Sequence, residues 1–459
     1  LGLHLETEGQ VMKIRALVTA LLLVTSLVTA QPGETASSDS PTRTEVLAAR
    51  ATPARRILLT NGMVILLKES PAHDLIAVEM LCQVGLANEE TPTAGLIALW
   101  SRILEERLDD ATEDHFRIVD KSVTLDQDFL RISIQGPAEE AEAMITALAD
   151  LVKEDTYSEK VVTRHRKRLV NDIEEGRAGD QNQLYSIFRI LFYRYHPYRR
   201  QHTSGTLAVE RIDAKVLSEF HQKYFVPERL VLAACGRLSR TTLDDLTRKL
   251  FSTLKARNEP DLSVAWEPKA TEKRIDLGTR NDIAWVLVGY PAPSAASEDH
   301  IPMMLIDAVL SQGLSSRLFN EIREKKGLAY TVSAIHPDLK GPSHFLTYVI
   351  TRPHDAGKVR RDVLKQAERL QEEPLSTQEL EAAKQKLRGT FLTDRETNRG
   401  TAFRLAKAES IGLGYGYEEN FEKRLSEVTA QDIRRVAQEY LVNPTVIIAR
   451  PAGKLYWDG

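Results

Sequence analysis

The chain has 459 residues, and its content of 42% hydrophobic and 27% charged residues is ordinary for a globular protein. Its formal net charge of -4 at pH 7 argues against nucleic acid and against an acidic membrane surface as partners. This length is enough for two or more domains, each with its own core.

Residues 1–30 are predicted to be a mis-extended translation start followed by a signal peptide. Two basic residues follow Met12, an apolar run covers residues 16–28, and small residues precede a cleavage site at Ala30. We therefore expect export to the periplasm, with a mature chain that begins near Gln31. The alternative is an uncleaved segment that tethers the chain to the membrane, although about 13 apolar residues fall short of the roughly 20 that span a bilayer.

Residues 31–54 are rich in Ser, Thr, Pro and Ala and are predicted to form a flexible linker. The first domain is predicted over residues 55–255, where strand and helix patterns alternate. The predicted elements are a hairpin over 57–67, a strand over 75–84, a helix over 92–108, strands within 123–135, helices between 138 and 224, and a strand over 230–235. This order is typical of an α+β domain.

An internal repeat predicts that a second, similar domain follows. The amphipathic pattern of residues 212–224 and the strand after it recur 216 positions later, over residues 428–440 and 446–449. A strand over 285–291 that leads into a helix over 299–310 repeats the start of the unit. A chance match of one helix and one strand is the alternative. The second domain is predicted over residues 274–459, after a polar linker at 256–273.

Cysteine usage leaves one question open. Cys82 and Cys235 are the only cysteines, and both lie in apolar runs that are typical of strands. A pair of buried thiols is the simpler interpretation, while export to an oxidising compartment would allow a disulfide.

Several motifs along the chain carry a family resemblance. They are Leu59-Thr60-Asn61-Gly62-Met63-Val64, Val84-Gly85-Leu86-Ala87-Asn88-Glu89 with Gly95-Leu96, His196-Pro197-Tyr198 with Gly205, and Gly313-Leu314-Ser315-Ser316-Arg317-Leu318-Phe319 with residues 322–330. Together they resemble the pitrilysin/insulinase zinc peptidases, in particular the two-domain type related to mitochondrial processing peptidase. The resemblance implies an α+β fold of two similar domains, each a mostly antiparallel sheet packed with helices, in the metalloenzyme LuxS/processing-peptidase-like arrangement.

Active members of that family carry H-x-x-E-H, in which two histidines bind zinc and the glutamate is the general base. The matching positions here hold Ala98, Ser101 and Arg102. Alanine has no ligand atom and a guanidinium repels a divalent cation, so we expect no zinc and no catalytic residue in this chain. An acid at Asp172 or Glu174, near the family's third ligand, is expected to pair with Arg102 instead.

The 11 histidines form no other zinc-peptidase motif. We therefore expect no cofactor on this chain and zinc only on a partner subunit. A hydrolase built on Ser101 or Ser316 is disfavoured, because neither serine has a histidine or lysine base at a motif spacing.

The intact part of the resemblance is the element that contains Arg323 and Tyr330. A helix with Leu318 and Ile322 on its apolar face is predicted to end near Lys326, with a left-handed glycine next and a strand from Tyr330. The resemblance implies that this Arg and Tyr contact a bound peptide near the scissile bond. Without it, Arg323 is one solvated charge among several and Tyr330 is a sheet residue.

The sequence thus favours a catalytically inactive insulinase-family subunit that pairs with a zinc-bearing homologous subunit. The pair would bind and process a peptide or small protein in the periplasm, with Arg323 and Tyr330 acting in trans. The alternative is a non-proteolytic binding or scaffold protein of the same fold. The substrate, and the choice between homodimer and heterodimer, are not encoded in any motif.

Overall fold

A computed structural model describes residues 53–70, 74–115, 118, 120–175, 180–200, 206–257, 273–279 and 282–452. The predicted signal peptide, nearly all of the linker at 31–54 and most of the linker at 256–273 lie outside the described residues, as does Gly205. No helix of the described ranges is long and apolar enough to cross a membrane.

The first lobe is built on a six-stranded sheet. Its strands are β1 (Arg55–Leu58), β2 (Val64–Glu69), β3 (Leu75–Cys82), β4 (Asp120–Leu125), β5 (Leu130–Pro137) and β6 (Leu230–Gly236), in the order β1-β2-β6-β3-β5-β4. Every neighbouring pair is antiparallel except β2 and β6, which are parallel. The β1–β2 hairpin turns at Gly62, whose φ of +89° is favourable only for glycine, so the predicted hairpin is confirmed.

The helices of this part of the chain are α1 (Leu96–Ala111), α2 (Ala141–Lys153), α3 (Glu159–Glu174), α4 (Asp180–Tyr193), α5 (Thr206–Val209), α6 (Ala214–Tyr224) and α7 (Arg240–Phe251). Apolar residues of α1, α2, α3, α6 and α7 pack on one face of the sheet and form the first core.

The second lobe is built on a five-stranded sheet. Its strands are β7 (Lys273–Thr279), β8 (Ala284–Ala292), β9 (Ala329–Ile335), β10 (Ser343–Thr351) and β11 (Thr445–Pro451), in the order β7-β11-β8-β10-β9. Its helices are α8 (His300–Leu310), α9 (Ala356–Glu372), α10 (Thr377–Thr393), α11 (Asn398–Ser410), α12 (Tyr417–Glu427) and α13 (Ala430–Tyr440), with a π-helix at Phe319–Glu324 between α8 and β9.

The two sheets follow one plan, as the internal repeat predicts. Without β1, the first sheet has the same strand order as the second, and its parallel pair β2–β6 corresponds to the parallel pair β7–β11. The N-caps of α6 and α13 also correspond, since Asp213 and Thr429 are 216 positions apart and each side chain accepts a backbone N–H of the first helical turn. The predicted α+β fold with two similar halves is confirmed.

Each half of the chain contributes one helix that packs on the outer face of the other sheet, an arrangement that no sequence pattern indicates. Leu184 and Phe188 of α4 pack on the second sheet, against Trp285, Leu287, Leu346, Ile447 and Ala449. Ala402, Leu405 and Ala406 of α11 pack on the first sheet, against Leu66, Leu81, Phe129, Val231 and Ala233. This reciprocal exchange joins both lobes, which fall within one compact unit.

The two cysteines are buried free thiols. In the β3–β6 register, Cys235 lies opposite Ala77 and Cys82 lies opposite Leu230, so the thiols are five positions apart along the strands. A disulfide needs Cα atoms within about 7 Å, and five strand residues span about 17 Å. The register therefore excludes the disulfide that the sequence left open, and burial raises the pKa of both thiols to about 12.

Candidate functional site

The residues predicted to form a degenerate zinc motif lie on α1, and a buried carboxylate fixes where this helix begins. Residues 91–93 form a separate turn, Gly95 has a φ of +92°, and the helix starts at Leu96, so the predicted start at residue 92 was wrong. The Glu89 carboxylate accepts the backbone N–H groups of Gly95 and Ile97, at 3.1 and 2.9 Å. Burial raises the pKa of Glu89 to about 7. Glu89 thus does the work of an N-cap from outside the helix.

The three motif positions form no ligand set. Ala98 is buried in the first core, and the Ser101 hydroxyl donates to the Ala98 carbonyl oxygen at 3.0 Å. Arg102 Nη1 donates to Asp172 Oδ2 at 2.8 Å, and this ion pair joins α1 to α3. Asp172 is one of the two acids expected to pair with Arg102. The Arg102 side chain is 35% exposed and that of Asp172 is 27% exposed, so the pair contributes at most about 1 kcal/mol.

The donor chemistry at this position does not fit zinc. An active site of this kind needs two imidazole ligands and a carboxylate base at these positions, whereas they hold a methyl group, a guanidinium that remains protonated and a hydroxyl group. Across the described ranges, no group of three or more His, Cys, Asp and Glu side chains could hold a metal ion. No hydrolytic step can therefore be derived from this position.

A series of hydrogen-bonded side chains lies on the opposite side of α1 and ties this helix to its neighbours. Trp100 Nε1 donates to the Tyr157 hydroxyl at 2.7 Å, and that hydroxyl is 2.6 Å from His221 Nδ1. His221 Nε2 lies 2.9 Å from the Val152 carbonyl oxygen, which can only accept, so Nε2 carries the ring proton and Nδ1 accepts from Tyr157. Burial lowers the pKa of His221 to about 4. The imidazole is thus held neutral.

The hydrogen-bond chain through His221 predicts that the protein loses stability in mild acid. The folded-state pKa of His221 lies below its ordinary value of 6.5, so its contribution is complete above pH 6.5 and is lost as the pH falls toward 4. From about pH 7.5 to about pH 5, we expect the wild type to lose about 2 kcal/mol of unfolding free energy that a His221→Gln variant does not lose. Urea unfolding at both pH values measures this difference.

His354→Gln is the matched control for the loss of an imidazole, because His354 is largely exposed and its contact with Asp355 at 3.2 Å contributes little to stability. Equal pH dependence in the wild type and His221→Gln would show that His221 is not held neutral by the fold.

The Arg323 element lies on the second lobe. Leu318 and Ile322 are buried in the second core, and Gly327 adopts a φ of +60°, as the pattern predicts. The Leu328 N–H donates to the Ile322 carbonyl oxygen at 2.9 Å, which closes the turn. The helix differs from expectation in one respect: it is a π-helix that ends at Glu324, two residues before the predicted end at Lys326. Such helices are often found at functional sites.

Arg323 and Tyr330 are in direct contact. Arg323 Nη1 donates to the Tyr330 carbonyl oxygen at 2.8 Å, and the guanidinium carbon lies 5.1 Å from the centre of the Phe319 ring. The Tyr330 side chain is 57% exposed, at the start of edge strand β9. These two residues belong to the second lobe, whereas Ala98 belongs to the core of the first. The two groups of residues that the resemblance singles out therefore lie in different lobes.

Two solved structures share this fold at low sequence identity. A protease from Helicobacter pylori has a TM-score of 0.79 and 20% identity, and the match covers 87% of this chain and 100% of that one. A peptidase M16 inactive domain from Pseudomonas fluorescens has a TM-score of 0.79 and 17% identity, and covers 88% and 99%.

Sequence comparisons point the same way. Residues 211–387, which include Arg323 and Tyr330, match the family described as "Peptidase M16 inactive domain". The chain is 22% identical over 420 residues to Zinc protease PqqE of Helicobacter pylori, across 86% of this chain and 92% of the relative. An uncharacterized zinc protease of Streptomyces coelicolor is 26% identical over 307 residues, across 65% of this chain and 66%, just under two-thirds, of the relative.

The chain is an insulinase-like family member. Its similarity to a zinc protease extends over 86% of the chain and so includes both lobes.

In this insulinase-like chain, the His196-Pro197-Tyr198 motif joins the lobes. The Tyr198 hydroxyl donates to Asp128 Oδ1 at 2.6 Å and accepts the Gly341 N–H at 2.8 Å. Asp128 Oδ2 accepts the Lys340 N–H at 2.8 Å, and burial raises the pKa of Asp128. The family resemblance marks this motif in the sequence but does not indicate what it does. Its role could not be predicted, because the partners of Tyr198 lie 70 and 143 residues away along the chain.

Proposed function

We propose that this insulinase-like chain is a non-catalytic subunit that pairs with a zinc-bearing homologue and positions peptides for cleavage. The observation that supports it most directly is the exposed contact between Arg323 and Tyr330, next to a lobe whose zinc position is occupied by an ion pair. The predicted signal peptide supports a periplasmic location for this function.

The proposed division of labour is chemically reasonable. Zinc on the partner would supply an activated water and polarise the scissile carbonyl. This chain would supply positioning: a guanidinium has five N–H donors, of which one is directed to the Tyr330 carbonyl oxygen, and a phenol adds one O–H donor. Both groups suit the carbonyl oxygens of an extended peptide.

A non-proteolytic scaffold of the same fold is the second candidate. A scaffold needs the two cores and the exchanged helices, but it has no use for a solvent-facing arginine held against the backbone of an edge strand. The Arg323 contact therefore favours the peptide-positioning role.

The proposal predicts a metal-free, inactive chain that becomes part of an active pair. The purified mature chain should contain no stoichiometric zinc and cleave no peptide, because Ala98, Ser101 and Arg102 supply neither ligands nor base. Mixed with a homologue that carries intact H-x-x-E-H, ideally one encoded next to this chain, it should form a complex that cleaves peptides faster than the homologue alone.

Elemental analysis, size-exclusion chromatography and a fluorogenic peptide library test the three statements. About one zinc per isolated chain with chelator-sensitive cleavage would refute the non-catalytic assignment. A stable complex with no gain in cleavage would favour the scaffold.

A further inference from the structure

Two adjoining cavities lie beside the turn between α11 and α12, outside the sites described above. Their volumes are about 290 and about 410 Å³, and Leu413 and Tyr417 line both of them. Because the cavities share these residues, they form one solvent-open depression, called the Tyr417 trough below.

A glycine-rich turn keeps the trough open. Gly412 and Gly414 have φ values of +87° and +77°, which glycine adopts without strain. No atom lies within 4 Å of a Cβ built at Gly412, Gly414 or Gly416, so this turn faces open space. The turn is nevertheless anchored, because the Leu413 N–H donates to the Ala408 carbonyl oxygen at 2.9 Å and the Tyr415 N–H donates to Glu409 Oε2 at 2.9 Å.

The first cavity has apolar walls, and its charged residues are already in ion pairs with one another. Phe403, Ile411, Leu413 and Tyr417 line it. Of its charged residues, Lys407 pairs with Asp338 at 2.8 Å, and Arg404 pairs with Asp394 and with Glu418, each at 2.9 Å. Paired charges gain little from a further ion, so this part of the trough suits an apolar or aromatic side chain.

The charged residues that line the second cavity are two cations, Lys423 and Arg424, and one carboxylate, Glu427, so the cavity has an excess of positive charge. Within the described part of the chain, neither Lys423 nor Arg424 is in an ion pair with Glu427 or with another acid. The Arg424 guanidinium carbon lies 5.5 Å from the centre of the Tyr417 ring, so the cation is held over the aromatic wall that both cavities share. This part of the trough suits a carboxylate.

The geometry points to the Tyr417 trough as a binding site for an acidic peptide segment, with an apolar side chain in the first cavity and carboxylates against Lys423 and Arg424. Charge complementarity and the joined apolar and cationic halves support a peptide, since a single small anion would fill only the second cavity. This site goes beyond the proposed function, because it needs no partner subunit and does not include Arg323 or Tyr330.

Fluorescence anisotropy with the isolated mature chain tests the site. The probe is a fluorescein-labelled amidated peptide, Gly-Asp-Glu-Phe-Asp, and its neutral counterpart is Gly-Asn-Gln-Phe-Asn. We expect saturable binding of the acidic probe and about tenfold weaker binding of the neutral one. A Lys423→Gln/Arg424→Gln variant should bind the acidic probe about tenfold more weakly, because two partly exposed ion pairs are lost. Leu413→Glu should weaken binding further by placing a carboxylate in the shared wall.

Lys167→Gln/Arg168→Gln is the matched control, since it removes an equivalent exposed Lys-Arg pair from α3 of the other lobe. It should bind within about twofold of wild type, as should Arg323→Ala, which separates failure of this site from failure of the proposed function. Equal binding of acidic and neutral probes, or equal losses in the Lys423/Arg424 and Lys167/Arg168 variants, would overturn the inference.

Discussion

Arg323→Ala is expected to lower kcat/KM of the reconstituted pair about a hundredfold while the complex still forms. A positioned donor to a scissile carbonyl or developing oxyanion is worth on the order of 3 kcal/mol in the transition state, and its loss acts on the rate. The substitution opens no core cavity, because Arg323 is exposed; it contacts the Tyr330 carbonyl oxygen and the Phe319 ring. Peptide cleavage by the wild-type and variant pairs, under the same zinc loading, gives the ratio.

Two further variants make this experiment specific. Tyr330→Phe removes only the exposed hydroxyl and should also lower kcat/KM without affecting assembly. Lys325→Ala removes a neighbouring exposed cation that pairs with Glu321 of the π-helix, and it should leave cleavage unchanged. Unchanged cleavage in both the Arg323 and Tyr330 variants would leave these residues as an ordinary surface charge and a sheet residue.

Phe188→Ala is expected to destabilise the whole chain by about 3–5 kcal/mol, the cost of removing a fully buried phenylalanine. Phe188 of α4 is fully buried on the second sheet, with its ring centre 5.1 Å from that of Phe192 and 5.3 Å from that of His344. A Cβ built at Gly289 would lie 2.2 Å from the Phe188 ring, so the ring sits against bare strand backbone. Because strand backbone forms this part of the wall, neighbouring side chains cannot readily move into the space that the Phe188→Ala substitution leaves.

Urea unfolding at neutral pH measures this cost. Tyr195→Ala is the matched control, because Tyr195 follows the same helix and is 90% exposed; its loss should change the unfolding free energy by less than about 0.5 kcal/mol. Similar small effects for both aromatic residues would mean that the exchanged helix contributes little to the stability of the second lobe.

The strands and most helix positions could be predicted from the sequence because alternation and helical periodicity are local properties. The hairpin at Gly62 and the left-handed Gly327 each depend on a few neighbouring residues. The helix start at Leu96 was misplaced because a carboxylate outside the helix, Glu89, fixes the first turn through space.

Part of the candidate site could likewise be predicted from the sequence, and part could not. The absence of zinc-binding side chains at Ala98 and Arg102 can be predicted from the sequence by the family resemblance. The Arg102–Asp172 pair, which the structure contains, was expected from charge and from the same resemblance. The Trp100–Tyr157–His221 chain has no such signal, because its members are 57 and 64 residues apart and each residue alone is a common core side chain. The sheet on which α4 or α11 packs could not be predicted for a related reason. The pattern of an amphipathic helix shows that one face is buried, but not which sheet that face packs on.

The helix exchange has a consequence for how the protein is made. The outer face of the first sheet is covered by Ala402, Leu405 and Ala406, which are synthesised more than 160 residues after β6 ends at Gly236. During chain elongation, Leu66, Leu81 and Val231 therefore stay exposed until almost the entire polypeptide has emerged. Separately expressed halves would each present an uncovered apolar sheet, so they should aggregate alone and recover solubility only when they are produced together and complement each other.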